Sequence, residues 1–214
     1  MKVIPREARR ITYSTEIRNL KEELKLSNYQ RQVVIGSLLG DAGLEPNWSK
    51  TNYRFAISHS LDQKDYAMWK YDVLKPWVLT EPRFREVNRS IRFRTISHPE
   101  FTVLWKEFYK DGKKIVPQNI TAMLTPLTLA VWFMDDGNLW RAHGKIRGAH
   151  INSQSFHYEE NLALADILKS QYGLTCFLDK NHEKFRIRIS KDSVTFLKSI
   201  ISEYTMPGMR YKLG

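Results

Sequence analysis

Apolar and polar positions along this chain change their period many times. Between Thr15 and Leu26, Ile17, Leu20 and Leu24 fall on one helical face of an otherwise charged segment. Asn28 stands where a helix N-cap is expected, for a second helix running to about Leu39. A Gly-Asp-Ala-Gly stretch follows, with Gly43 suited to a helix stop. Tyr53 to Ile57 then alternates at period two, which predicts a strand. Ser60 and Gln63 have the capping-box spacing for a helix over about 61–74. Residues 83–96 read as a hairpin turning at Asn88. Ser97, Pro99 and Glu100 open a helix to about Tyr109, and Asp111 to Lys114 form a loop.

The plan then recurs. Pro126 starts an apolar helix to about Asp136, a hairpin covers 138–152 and a helix 156–171. Strands are predicted over 174–179 and 184–190, a helix over 192–203, and a tail from Met206. Helix, strands, helix, strands, helix, stated twice, is an α+β order and not an alternating parallel one. Landmarks repeat at a near-constant offset: Asp41 and Asp136 are 95 apart, Ser60 and Ser155 95, Ser97 and Ser190 93, Lys114 and Lys212 98. An internal duplication is implied. We therefore expect an arm and short helix over 1–27 and two pseudo-symmetric halves over 28–120 and 121–214, forming one compact unit. Such symmetry suits duplex DNA, whose strands are themselves related by a twofold.

Charge narrows the partners. Among 214 residues, 34 Lys and Arg face 23 Asp and Glu, a formal net charge of +11. A basic balance fits a solvated surface, an anionic membrane or a phosphate backbone. Two features weigh against the membrane: no apolar run approaches the roughly 20 residues of a spanning helix, and no long segment is basic on one face and strongly apolar on the other. The lone Cys176 excludes an intrachain disulfide and a cysteine-zinc site, and fits a reducing compartment. Residues 1–14 are rich in Arg and lack an apolar signal core, so they read as a basic arm and not a secretory peptide. An intracellular protein is expected, in a bacterial cytoplasm or an organelle matrix.

Two segments carry candidate chemistry. Val34-Ile35-Gly36-Ser37-Leu38-Leu39-Gly40-Asp41-Ala42 and Leu129-Ala130-Val131-Trp132-Phe133-Met134-Asp135-Asp136-Gly137 are each an apolar helix closing on an acid. Either alone reads equally well as a core helix with an Asp at its end. But an Asp there faces the negative end of the macrodipole, at a cost of about 0.3–1 kcal/mol. A bound cation reverses that sign. Gly36 and Gly40, four apart, leave a smooth stripe on which a second helix can approach. Two carboxylates brought together repel unless a proton or metal neutralises them. Hard oxygen ligands suit Mg²⁺.

With these residues in view, the chain resembles the single-chain, intron-encoded homing endonucleases of the LAGLIDADG family. Leu124-Thr125-Pro126 followed by Leu129 to Gly137 is similar to the second motif of that branch, and Tyr211-Lys212-Leu213 resembles its C-terminal signature. The first motif departs from the family name at Gly40, in place of an Ala, and Ala42, in place of the last Gly; both are small-for-small changes. The resemblance runs from about residue 15 onward. It implies that each half is a curved antiparallel sheet with helices packed on one face. It implies metal-binding carboxylates at Asp41 and Asp136, auxiliary main-chain ligands at Gly40 and Asp135, and flanking catalytic lysines at Lys114 and Lys212. The cofactor would be Mg²⁺ or Mn²⁺, and the partner a long, asymmetric duplex DNA site bound by a monomer.

The strands supply a docking face. Ile91 and Phe93 oppose Arg92 and Arg94; Phe185, Ile187 and Ile189 oppose Arg186, Arg188 and Ser190; Arg83 and Arg85 share a face. Arginine offers forked donors to guanine edges and phosphates, and a two-stranded ribbon fits a major groove. Arg54, Lys145, Arg147, Asn152 and Gln154 extend the DNA-binding set, while His143 and His150 read as hairpin polar residues. Two rival readings stand beside DNA cleavage: an RNA maturase on the same fold, and a non-catalytic DNA-binding regulator. The retained Asp41, Asp136, Lys114 and Lys212 favour cleavage.

Overall fold

In the computed structural model, residues 14–214 are described; the basic arm expected over 1–14 lies outside them except for Ser14. The fold is α+β, with helices laid against antiparallel sheets. The chain divides into two compact units. One runs to Arg31 and resumes over Ala42–Trp105; the other joins Gln32–Asp41 to Lys106–Gly214.

In the first unit, α1 (Thr15–Glu23) leads to the first turn of α2 (Asn28–Leu39), a helix whose residues from Gln32 onward belong to the second unit. Strands β1 (Gly43–Pro46), β2 (Tyr53–Ser60), β3 (Arg83–Arg85) and β4 (Ser90–Arg94) form a sheet in the order β1-β2-β4-β3. Helix α3 (Lys64–Val73) lies on β2 and β4, and α4 (Pro99–Phe108) follows the sheet. Alternation explains the layering: Ile57 pairs with Phe93 on the buried face, and Ser58 with Arg92 on the other. Buried rings close the core, with Trp77 edge-on to Phe101 at 5.2 Å and Tyr71 edge-on to Phe93 at 5.7 Å.

The second unit repeats the arrangement. A two-residue hairpin, β5 (Tyr109–Lys110) and β6 (Lys113–Lys114), precedes the short α5 (Ile120–Met123) and α6 (Pro126–Asp136). Strands β7 (Gly137–Ala142), β8 (Lys145–Ile151), β9 (Cys176–Asn181) and β10 (Lys184–Ser190) are ordered β7-β8-β10-β9, matching the first sheet strand for strand. Helix α7 (Tyr158–Tyr172) covers β9 and β10, and α8 (Val194–Ile201) packs on α6. A 3₁₀ segment, Pro207–Leu213, ends the chain.

Several local expectations shift. The α2 cap is Ser27, one residue earlier than expected: its Oγ accepts from the Gln30 N–H at 3.2 Å while Gln30 Oε1 accepts from the Ser27 N–H at 3.1 Å. His98, not Ser97, caps α4, its Nδ1 accepting from the Glu100 N–H at 3.1 Å. Gly43 does not stop a helix but opens β1, a strand that its Gly and Pro conceal and its pairing with β2 creates. Among the described residues, no helix is long and apolar enough to cross a membrane.

Candidate active site

The apolar helices α2 and α6 carry the two acidic motifs, and within the second unit they lie against each other. At one end, Thr125 Oγ1 donates to Gln32 Oε1 at 2.5 Å. Further along, a Cβ on Gly36 would sit 2.6 Å from the Thr128 carbonyl oxygen and 2.7 Å from Val131 Cβ. At Gly40 it would sit 2.5 Å from Asp135 Cβ. Only hydrogen fits at either position. The partners advance together, from Gln32 with Thr125 to Gly40 with Asp135, so the helices run in the same direction and end together.

That shared end gathers the acids. Asp41 stands two residues beyond α2 and is exposed; Asp136 is the last residue of α6 and is half-buried. Asp135 is 7% exposed and turns toward α2, where its Oδ2 accepts from the Asp41 N–H at 3.4 Å. Carboxylate oxygens of Asp41 and Asp135 lie within 4.8 Å. Burial, then the charges of Asp41 and Asp135, push the Asp136 carboxyl up to about 7, with Lys114 and Lys212 pulling the other way.

Both lysines reach the same place from distant sequence. The β5–β6 turn, with Asp111 and Gly112 at φ 51° and 74°, brings Lys114 round so that its Nζ donates to the Gly40 carbonyl at 2.9 Å. The terminal 3₁₀ segment brings Lys212 Nζ to the Asp135 carbonyl at 2.6 Å. Each ammonium thus meets the carbonyl just before a motif acid, where the helix dipole favours a cation. All six residues expected at the site are brought together: Asp41, Asp136, Asp135, Gly40, Lys114 and Lys212. The carboxylates of Asp41, Asp135 and Asp136 and the Gly40 carbonyl offer hard oxygens, and the carboxylates are crowded, a set that fits Mg²⁺ or a cation like it.

Asn152 also touches this end. Its N–H and its Nδ2 each donate to the Asp136 carbonyl at 3.0 Å, and its Oδ1 accepts from Arg186 Nη1 at 3.4 Å. The other docking candidates divide between the sheets. Register puts Arg54, Arg83, Arg85, Arg92 and Arg94 on the polar face of the first. Arg186 and Arg188 share the polar face of the second with His150. Lys145 and Arg147 stand exposed toward the β7–β8 turn, Arg147 beside the irregularity in that pairing, and Gln154 lies in the turn after β8. Sequence reasoning missed Glu45, which pairs with Arg54 and Arg92, and Asp179, which pairs with Arg188 and His150. His150, read as a hairpin polar residue, does lie in the β7–β8 hairpin, where its ring is 4% exposed and stacks on Trp140. Only the cross-strand register could have revealed these partners.

The model of the LAGLIDADG DNA endonuclease family matches residues 31–197. A RecA protein of Mycolicibacterium chitae is 31% identical over 90% of this chain, and the match spans 48% of that protein, about half its length. The cytochrome b mRNA maturase bI2 of Debaryomyces hansenii is 27% identical over 86% of this chain and 72% of its own. A probable intron-encoded endonuclease 1 of Wickerhamomyces canadensis is 28% identical over 90% of this chain and 87% of its own. Among solved structures, the homing endonuclease I-WcaI bound to its DNA recognition sequence superposes with a TM-score of 0.86 at 26% identity, covering 94% of this chain and 93% of that one.

Proposed function

Since this chain belongs to the LAGLIDADG DNA endonuclease family, we propose that it is a site-specific homing endonuclease of the single-chain, two-motif branch, hydrolysing one phosphodiester bond on each strand of a duplex with a divalent metal. The observation that carries this reading is the paired helix end, where three carboxylates and two lysines converge on one small volume. A structural core has no use for that crowding.

Asp41 and Asp136 would hold Mg²⁺ or Mn²⁺, with the Gly40 and Asp135 carbonyls as further oxygen ligands. When bound, the metal supplies polarisation of the scissile phosphate and an activated water. Lys114 and Lys212, already anchored on the carbonyls beside the acids, would orient the attacking water and offset charge building on the phosphorus oxygens. Asp135, turned between the helices, sets the spacing of their ends. The arginine faces of the two sheets would grip the backbone and base edges of a long, asymmetric site. The halves 28–120 and 121–214 would each serve one strand, in a protein acting as a monomer inside a bacterial cytoplasm or an organelle matrix.

The test is to incubate the protein with a library of duplex sites and Mg²⁺ and to sequence the cut ends. Double-strand breaks at one preferred sequence are expected. Asp41→Asn and Asp136→Asn should abolish them while a shift assay in Ca²⁺ still detects specific binding, since Asn keeps the size and loses the charge. Undiminished cutting by the double variant would overturn the site. A second reading, RNA maturase, draws support from the maturase relative; splicing assistance without any cleavage would establish it instead.

A further inference from the structure

Two carboxylates sit where a DNA-docking surface should carry none. Glu45, on β1, stands in the polar face of the first sheet among four arginines. Its Oε2 accepts from Arg54 Nε at 3.3 Å and its Oε1 from Arg92 Nη2 at 2.6 Å. It thereby ties together side chains from two other strands. The surplus of positive charge around it is felt at Arg94, held below its ordinary value first by burial and then by Arg54, Arg92 and Arg83, with Glu45 pulling the other way.

The second sheet solves the same problem with a different strand. Asp179, on β9, accepts from Arg188 Nε at 2.8 Å and pairs with His150 Nε2 at 3.2 Å. The Arg188 guanidinium also lies over the Phe177 ring at 4.7 Å, and the His150 ring stacks on Trp140 at 5.7 Å. Burial alone would raise the Asp179 carboxyl, but the hydrogen bonds from Arg188 and His150 outweigh it and hold it low. β1 leads the first sheet order and β9 closes the second, so the two clamps are not copies inherited through the duplication.

Resting on the function proposed above, we propose that Glu45 and Asp179 are specificity-determining residues, clamps that fix arginine forks in one orientation on the DNA-docking faces. Three consequences follow from elementary chemistry. A carboxylate on this surface repels phosphate, so it lowers affinity for any duplex regardless of sequence. A clamped arginine keeps most of its five N–H donors but loses its freedom to follow a phosphate. Its ordering entropy is spent in folding and not in docking, so only a base edge or phosphate lying on its line is rewarded. The clamps thus give up general affinity and gain discrimination.

The experiment compares native protein with Glu45→Gln and Asp179→Asn, each checked by thermal melting. Binding is measured in Ca²⁺ to sheared random-sequence duplex, and preferred sites are selected from a randomised duplex pool and sequenced. Each variant should bind random duplex about 3–10-fold more tightly, as expected for removing one repulsive charge, and should lose base preference at a few positions, different for the two variants. Arg92→Lys keeps the charge without the fork. It should lose preference at the positions affected by Glu45→Gln and leave random-duplex binding unchanged. Unaltered preference in both carboxylate variants, or an equal weakening toward all duplexes, would overturn the clamp while leaving the nuclease reading intact. A native protein that selects no sequence from the pool would overturn both.

Discussion

Replacing Gly36 by Ala tests whether the approach of α2 and α6 builds the site. The added Cβ would lie 2.6 Å from the Thr128 carbonyl oxygen, a backbone atom that no rotamer change can move, and 2.7 Å from Val131 Cβ. Ordinary contact begins near 3.4 Å, so the helices must separate by about 0.8 Å. Overpacking of this kind costs about 1–3 kcal/mol. For a chain of this length that lowers the melting temperature by about 2–4 °C per kcal/mol. The separation also moves Asp41 relative to Asp136, and displacing reacting groups by about 1 Å can cost about 100-fold in rate. Cleavage should therefore fall far more than stability. The assay is single-turnover cutting of a selected duplex at a temperature where the variant is fully folded, with Leu168→Ala in α7 as a control. Leu168 is fully buried, so that change costs about 2–5 kcal/mol away from the acids, and it should leave the rate near native. A Gly36→Ala protein that melts and cuts like the native one would show that the approach of α2 and α6 does not build the site, as would a control that loses cutting equally.

Further outcomes are expected. Holding the Asp136 carboxyl at about 7 instead of 3.8 costs the folded, cation-free protein about 4 kcal/mol at pH 8. Between those values the folded state keeps a proton that the unfolded chain has released, so stability falls as pH rises through the window and levels off above it. Asp136→Asn should remove that slope and melt higher than native protein at pH 8 in a chelator; denaturant melts giving both proteins the same pH dependence would contradict this. Lys114→Ala and Lys212→Ala should slow single-turnover cutting without abolishing it, because each lysine flanks the acids; a block as complete as that of Asp41→Asn would move them into the metal-holding set. Specific binding should weaken steeply with salt as arginines on both sheets release counterions, and a nearly flat plot of log K against log salt would remove the sheets as the docking face.

Much of this was legible along the chain because it is written in local period. Alternation at Ile91 to Arg94 and Phe185 to Ser190 separates a buried face from an arginine face without reference to any partner. The offset from Asp41 to Asp136, echoed by Lys114 and Lys212, announces a duplicated site before any contact is known. Gly36 and Gly40 mark the stripe on which a helix can approach, and both turn out to lie against α6. Local signals misplaced the caps by one residue at Ser27 and His98, since each cap depends on which side chain the entering chain turns inward. β1 was invisible because four residues containing Gly and Pro become a strand only by pairing with β2. Long-range choices had no local trace at all. Asp135 and Asp136 are adjacent, yet one turns to the Asp41 N–H and the other is left crowded among charges, a distinction set by the rotation of α6 against α2. Lys114 and Lys212 find the Gly40 and Asp135 carbonyls only when a hairpin and a terminal turn fold back to the helix ends. Glu45 and Asp179 read as ordinary strand acids until register sets them beside arginines from neighbouring strands. Period follows from bonds between neighbours in sequence, whereas partners follow from which surfaces pack, and packing is decided by the whole fold at once.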